Sequence, residues 1–380
     1  MKSIMKITKA FLGGGGVLLL VFTAVSGQAL ALGTWDAKNP MPTTRTYAVG
    51  GAIGDSLYVM GGSPNAGPSA LQTLEVYDQA TDSWSTKAPS ILARTTTATG
   101  IIGDKLYVAG GCPNSDCGAG HVVASLEIYD SATDSWSIGA PMPAVRAAAA
   151  GVTYGNDFYV MGGFTACGPC TPLQTVYIYD SVAGSWSTGS PMPTGMVSPQ
   201  AAVIGNKIYV VGGTEPSWGM TNTLHIYDPE ADSWTTETPS PISRPGGFKV
   251  DALNGKIYVT GGDTEVYDPV TNSWSLERPM LQVRYSHVSG VIDDKIYAVG
   301  GWDASLTRLD SLEVFTPEAT ACVNAPANIV AWWDADSMTG NKVVDISGNS
   351  NDGEIGTSGL SATGIVNGKI GNAFDFYENY

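Results

Sequence analysis

Short runs of alternating apolar and polar residues recur along this chain, and nearly all of them end in turn chemistry. In one stretch, small residues at 95–100 lead into Ile101-Ile102, and Gly103-Asp104 makes a tight turn. Positions 105–109 alternate up to Gly110-Gly111, a loop follows, 126–129 alternate to Asp130, and 131–135 turn the chain into Trp136. A period of two bounded by Gly and Asp predicts four short antiparallel strands in one meander. The Gly-Gly doublet recurs at Gly61-Gly62, Gly110-Gly111, Gly162-Gly163, Gly212-Gly213, Gly261-Gly262 and Gly300-Gly301, in steps of 49, 52, 50, 49 and 39 residues. Each has a tyrosine three residues before its first glycine, from Tyr58 to Tyr297. A fixed signature at a period near fifty means one supersecondary unit used repeatedly.

Small residues crowd the first strand of the units, at 48–52, 97–100, 147–151, 200–203 and 287–290. If the meanders radiate from an axis, their innermost strands converge and leave little room for side chains. Trp84, Trp136, Trp186, Trp234 and Trp274 then belong in the wider outer wedge, where the expectation places them against the glycine doublets of adjacent sheets. Radial repetition also protects strand edges, so the architecture expected is an all-β propeller. The string of Arg, small residues, a Gly-Asp turn, Leu/Ile-Tyr-Val-x-Gly-Gly, a loop, Leu-Glu-x-Tyr-Asp and Trp resembles the kelch repeat, and six occurrences cover residues 32–317. The resemblance implies a six-bladed kelch β-propeller. Three departures stand out: Met196 replaces the Arg, Gly184 the turn Asp/Asn, and Phe315-Thr316 the Tyr-Asp. Gly33-Thr34-Trp35 is a fourth-strand signature without strands one to three, whereas 284–315 supply three strands without a fourth. The N-terminal strand is therefore expected to complete the sixth blade and close the ring.

The ends carry other signals. Lys2, Lys6 and Lys9, the apolar stretch 11–25 and Ala29-Leu30-Ala31 read as a secretory signal peptide over 1–31, cleaved before Leu32. Its removal takes away three lysines and no acid, moving the formal charge from −16 to −19. So acidic a chain is a poor partner for nucleic acid or anionic membranes, and no membrane insertion is expected after cleavage. A secreted, periplasmic or cell-surface location follows. After a linker at 318–328, residues 329–380 include Trp332-Trp333-Asp334, an Asn/Asp/Gly run from Asp345 to Gly353, and Gly368-Lys369-Ile370-Gly371. This series resembles the opening of a laminin-G/concanavalin-A-like lectin domain, an incomplete β-sandwich of jelly-roll type. The resemblance implies a second binding module in an intact form.

No catalytic set, metal site or cofactor motif emerges, and none is expected; the chain has only three histidines. His225 stands in the slot of Glu75, Glu127, Glu265 and Glu313, which reads as strand surface, while His287 belongs to the first strand of its blade. Cys112, Cys117, Cys167 and Cys170 fall in equivalent loops of blades 2 and 3, with Cys322 left over. Two local disulfides, two bridges between loops, or a zinc site with His121 all fit that spacing, and export favours disulfides. Arg45, Arg94, Arg146, Arg244 and Arg284 belong to the repeat signature, which points to structural pairing rather than an anion pocket. Asp78/Asp82 and Asp130/Asp134 read as hairpin caps.

Two tryptophans, Trp218 and Trp302, belong neither to the signature nor to the C-terminal segment. Both lie in second-to-third strand loops, of blades 4 and 6, whereas blade 5 has only Asp263-Thr264 there. The expectation is a notch over blade 5 walled by Trp218 and Trp302, with Glu215, Asp263, Asp303 and Arg308 nearby. Aromatic walls with polar groups suit a glycan or protein ligand. The function expected is an exported, non-catalytic binding protein. A sugar-acid (sialate-type) mutarotase using Glu215 and Arg308 is the enzymatic alternative, and a structural or adhesive surface component is a third.

Overall fold

The computed structural model describes residues 32–318, except 66–68, 114–116, 168–169, 217–218 and 245, together with four short strands beyond them. Six four-stranded antiparallel sheets make up the described chain from Thr34 to Thr316. Blade 1 runs Val49–Ile53, Ser56–Met60, Leu74–Asp78 and Ser83–Lys87, innermost strand first. Blades 2 to 5 repeat that order. Blade 6 takes Val288–Ile292, Lys295–Val299 and Leu312–Thr316 from the C-terminal side, and its fourth strand is Thr34–Lys38. Register runs from Thr34 opposite Thr316 to Lys38 opposite Leu312, so the N-terminal strand closes the ring.

The core lies between blades rather than within them. Leu57, Val59 and Tyr77 of blade 1 pack on Tyr297, Val299 and Leu312 of blade 6, and equivalent clusters fill the other five interfaces. The signature tryptophans lie elsewhere than the sequence pattern implies. Trp84 rests on Tyr77 of its own blade, with ring centroids 5.3 Å apart, and donates its indole N–H to Asn39 O on the preceding connector at 2.9 Å. Trp136, Trp186, Trp234 and Trp274 donate to Ala88 O, Ala140 O, Ser190 O and Thr238 O in the same way. The indole therefore ties neighbouring blades at their outer ends. The doublets tie them near the axis: Gly111 N–H donates to Arg146 O at 2.7 Å, and a Cβ on Gly110 would stand 2.1 Å from that oxygen. Only glycine permits that approach, at φ of 70° and 95°. Blade 5 differs, because a Cβ on Gly262 would meet only Val283, at 3.6 Å.

The signature arginines are structural. Arg45 pairs with Glu75 at 2.7 Å, and Arg94, Arg244 and Arg284 pair with Glu127, Glu265 and Glu313. Blade 3 has Tyr177 in place of the acid, with Arg146 stacked 4.9 Å from its ring centroid. Blade 4 has neither charge. Met196 replaces the Arg, and His225 replaces the Glu, buried at 4% exposure and bonded to Thr236 Oγ1 at 2.9 Å. His225 is thus a core residue and not strand surface, because the pair it replaces is buried in the other blades.

Aspartates cap the outer hairpins as their spacing implied. Asp78 accepts from the Ala80 N–H at 2.8 Å, and Asp82 accepts the Tyr77 hydroxyl at 2.7 Å. Tyr129 and Tyr227 donate likewise to Asp134 and Asp232, whereas Tyr267 donates to Asn272. The Tyr77 hydroxyl holds the Asp82 carboxyl below its usual 3.8. For Asp134 the Ala88 amide acts first and Tyr129 second, and Asp232 is lowered by Tyr227 and then Ser190. A depressed folded value stabilises the fold above the unfolded value and is lost as pH falls through the folded one. The urea midpoint is therefore expected to fall below about pH 4. An Asp82→Asn, Asp134→Asn, Asp232→Asn variant, which keeps an acceptor as Asn272 does, should show a shallower acid slope. An unchanged slope would remove these carboxylates as the cause.

Cys112 pairs with Cys117 and Cys167 with Cys170, both locally, and the Cys167 N–H donates to Cys117 O at 2.8 Å. Beyond the ring, Lys342–Val343 pairs with Gly353–Glu354, and Ala362–Asn367 with Asn372–Phe376. Residues 1–31, where a signal peptide is expected, Cys322 and the remainder of 329–380, where the lectin resemblance falls, lie outside the described residues. Among the described residues no helix is long and apolar enough to cross a membrane.

Candidate functional site

Where each connector enters an innermost strand, one residue takes the left-handed conformation: Tyr47, Thr96, Ala148, Ser198, Gly247 and Ser286. The chain must turn there from the face of the ring down into the axis. Backbone bonds link these turns across blades, with Tyr47 N–H to Ser286 O at 3.1 Å, Ala148 N–H to Thr96 O at 2.9 Å and Ser198 N–H to Ala148 O at 2.8 Å. Five of the six are not glycine, and each such residue costs on the order of 1 kcal/mol. The collar they form is the mouth of an axial pocket of about 260 Å³.

The pocket wall is uneven. Blades 1 to 3 contribute mainly small residues, including Ala48, Thr97, Ala148 and Ala149; blades 4 to 6 contribute Ser198, Gln200, Lys249, Ser286, His287 and Trp302. Trp302 is paired through its backbone with both Tyr285 and Arg308, and its ring lies 5.6 Å from that of Tyr47. Its indole Nε1 is buried without a hydrogen-bond partner, as is Thr97 Oγ1. A buried donor left unsatisfied costs about 1–3 kcal/mol. Burial raises the Tyr47 hydroxyl, and the Arg308 charge pulls it the other way.

Of the residues singled out in sequence, Trp302 lines the axial pocket. Trp302 shares the pocket wall with Gly246, Gly247, Phe248 and Lys249 of blade 5, and its backbone bridges Tyr285 and Arg308. Asp303 spends its carboxylate on the Ser305 and Thr307 amides, at 2.8 and 2.9 Å, and so shapes that loop. Glu215 is half-buried on blade 4, where its charge reaches His225, and Asp263 is exposed. Neither Glu215, Asp263 nor Arg308 lines the axial pocket. The short loop of blade 5 serves packing: Thr264 is fully buried and accepts the Trp35 indole at 3.2 Å. Trp218 lies outside the described residues. Lys249, Ser198, Gln200 and Tyr47 enter the site without having been singled out; Lys249 had a signal, since it breaks the run of small residues on the innermost strands. A second depression, of about 730 Å³, lies on the outer rim of blades 3 and 4 and has no charged lining residue. Among the described residues no group of three or more His, Cys, Asp or Glu side chains is placed to hold a metal ion.

Six radial meanders, closed by the N-terminal strand and carrying the Arg, Gly-Gly and Trp signature, define a six-bladed propeller of the kelch class. The KLHDC2/KLHL20/DRC7 Kelch-repeats domain profile matches residues 94–301, and the Kelch motif profile matches 44–90 and 284–326. The chain belongs to the kelch-repeat family. No curated protein matches the sequence. Among solved structures, that of YjhT is similar at 16% identity with a TM-score of 0.64, covering 74% of this chain and 98% of that one. Solved chains that match number 1184, so this likeness speaks for the fold and leaves the ligand open.

Proposed function

We propose that this chain is a non-catalytic binding protein that presents the collar face of its kelch propeller to a glycan or protein partner. Kelch propellers commonly bind protein partners. The observation that carries the reading is Trp302: a ring beside Tyr47 at the pocket mouth, with a buried indole N–H awaiting an acceptor. An aromatic anchor with one unsatisfied donor is the type of group that dominates binding energy. Export belongs to the same proposal and is supported by the N-terminal signal pattern and by two local disulfides, which persist in oxidising compartments. The lectin-like resemblance of 329–380 adds a glycan-binding module to it.

Glycan and peptide arrays probed with the full chain test the reading. Binding is expected on one of them and should weaken at least about tenfold in Trp302→Ala. Unchanged binding in that variant would move the partner off the collar. Sugar anomerisation detected by NMR, with no array binding, would select the mutarotase alternative instead.

A further inference from the structure

Blade 5 departs from the others on its innermost strand. At the first and third positions of that strand the other blades carry Val, Ala or Gln and then Gly, Val or Ala, whereas blade 5 carries Lys249 and Asp251. Nothing in the repeat calls for these charges. Lys249 lines the axial pocket, and Asp251, two residues further along the strand, is 9% exposed. Among the described residues the ion pairs do not include Lys249. Lys249 is half-buried as a residue, and burial of its ammonium lowers it from its ordinary value against the pull of Asp251.

The groups around Asp251 are few. Blade 6 brings the Ser289 hydroxyl towards its carboxylate, and Tyr258 stands opposite it on the second strand of blade 5. His287 is fully buried and held neutral by burial, by Arg284 behind it and by Lys249. The innermost strand of blade 4, Gln200–Ile204, carries no ionisable residue. Asp251 Oδ2 has no hydrogen-bond partner. In a protein of net charge −16, the charged side chain that lines the axial pocket is thus a lysine short of solvation. An anion seated against it restores what burial removes.

We propose that the axial pocket seats the carboxylate of a small ligand against Lys249 and the Trp302 indole N–H, and that binding takes up a proton at Asp251. The inference rests on the reading of the propeller as a binding protein and names the ligand chemistry of its pocket. Burial pushes the Asp251 carboxyl up to about 6, while Ser289 and Lys249 pull it down. An incoming negative charge disfavours the Asp251 carboxylate further, so the bound state holds the proton more tightly than the free one. By linkage, affinity is highest where Asp251 is already neutral and falls as pH rises through about 6.

Calorimetry on the full chain tests this, with glucuronate against glucose and N-acetylalanine against its amide. At least one acid should bind where its neutral counterpart does not, and its affinity should fall up to about tenfold per pH unit over the titration of Asp251. Binding of both acids makes the carboxylate the shared determinant, and binding of one names the ligand source; either result supports the proposal. Lys249→Met should weaken binding at least about tenfold, and Trp302→Phe, which keeps the ring, about three- to tenfold. Asp251→Asn should flatten the pH profile, with near-UV circular dichroism confirming that each variant is folded. Neither acid binding better than its neutral counterpart, Lys249→Met binding as the parent does, or an unaltered profile in Asp251→Asn would overturn the proposal. Acids that fail while the arrays retain a Trp302-dependent partner would remove this inference and leave the binding-protein reading standing.

Discussion

Glu127→Ala is expected to destabilise the propeller by about 3–5 kcal/mol, because it leaves the Arg94 guanidinium buried without its counter-charge. Arg94 and Glu127 are 0% and 2% exposed, and Arg94 also donates to Gly110 O at 2.9 Å, where the doublet meets the next blade. The molecule contains its own control. Blade 4 fills the same two positions with Met196 and His225, both buried and uncharged at that site. Carrying that pair into blade 2, as Arg94→Met with Glu127→His, should recover most of the loss, since no charge is then left behind. Urea denaturation of the single and double variants measures the difference. A double variant no more stable than Glu127→Ala would show that the lost hydrogen bonds to Gly110 and its neighbours, rather than the stranded charge, set the cost.

That exchange explains why so much of the fold was legible in sequence. Arg, Glu, Gly-Gly, Tyr-Asp and Trp each make the same contact in most of the blades, so each repetition reinforces the reading. Some departures come in matched form, as Met196 with His225, whereas blade 3 keeps Arg146 and replaces only the acid, with Tyr177. The direction of contacts was harder to read. Trp84 and its equivalents reach the preceding connector rather than the doublets, because indole geometry depends on the inter-blade angle, which no spacing reports. Trp302 was visible as a surplus aromatic, but its place in the wall of the axial pocket, bridged to Tyr285 and Arg308, is not announced by local sequence. Lys249 and Asp251 were legible only as an exception to the small-residue rule on the innermost strands. Their meaning required the pocket, and the pocket required the closed ring.

Removal of residues 32–40 is expected to have the largest effect of any change to this chain. Trp35 is 6% exposed, its ring lies 5.2 Å from Phe315, and its indole N–H reaches Thr264 Oγ1 at 3.2 Å and Arg278 O at 3.1 Å. The Gly33 N–H adds a bond to Glu277 Oε2 at 2.9 Å. This short segment thus joins blade 6 by strand pairing and blade 5 through the Trp35 indole and the Gly33 N–H. Trp35→Ala alone should cost about 3–5 kcal/mol, as truncation of a buried aromatic does. The deletion goes further, because it bares the edge of Leu312–Thr316 together with Phe315, an apolar strand edge of the kind that pairs with other chains. Blade 6 would then hold to blade 1 through its inner strands, the Tyr77–Tyr297 contact and the Tyr297 hydroxyl on Gln79 at 2.7 Å, with its outer edge open. The deleted chain should therefore melt well below the parent and aggregate on heating, while Trp35→Ala melts between the two. Thermal melts followed by light scattering read both effects; a deletion that leaves the melting temperature unchanged would mean that the ring does not depend on its N-terminal strand.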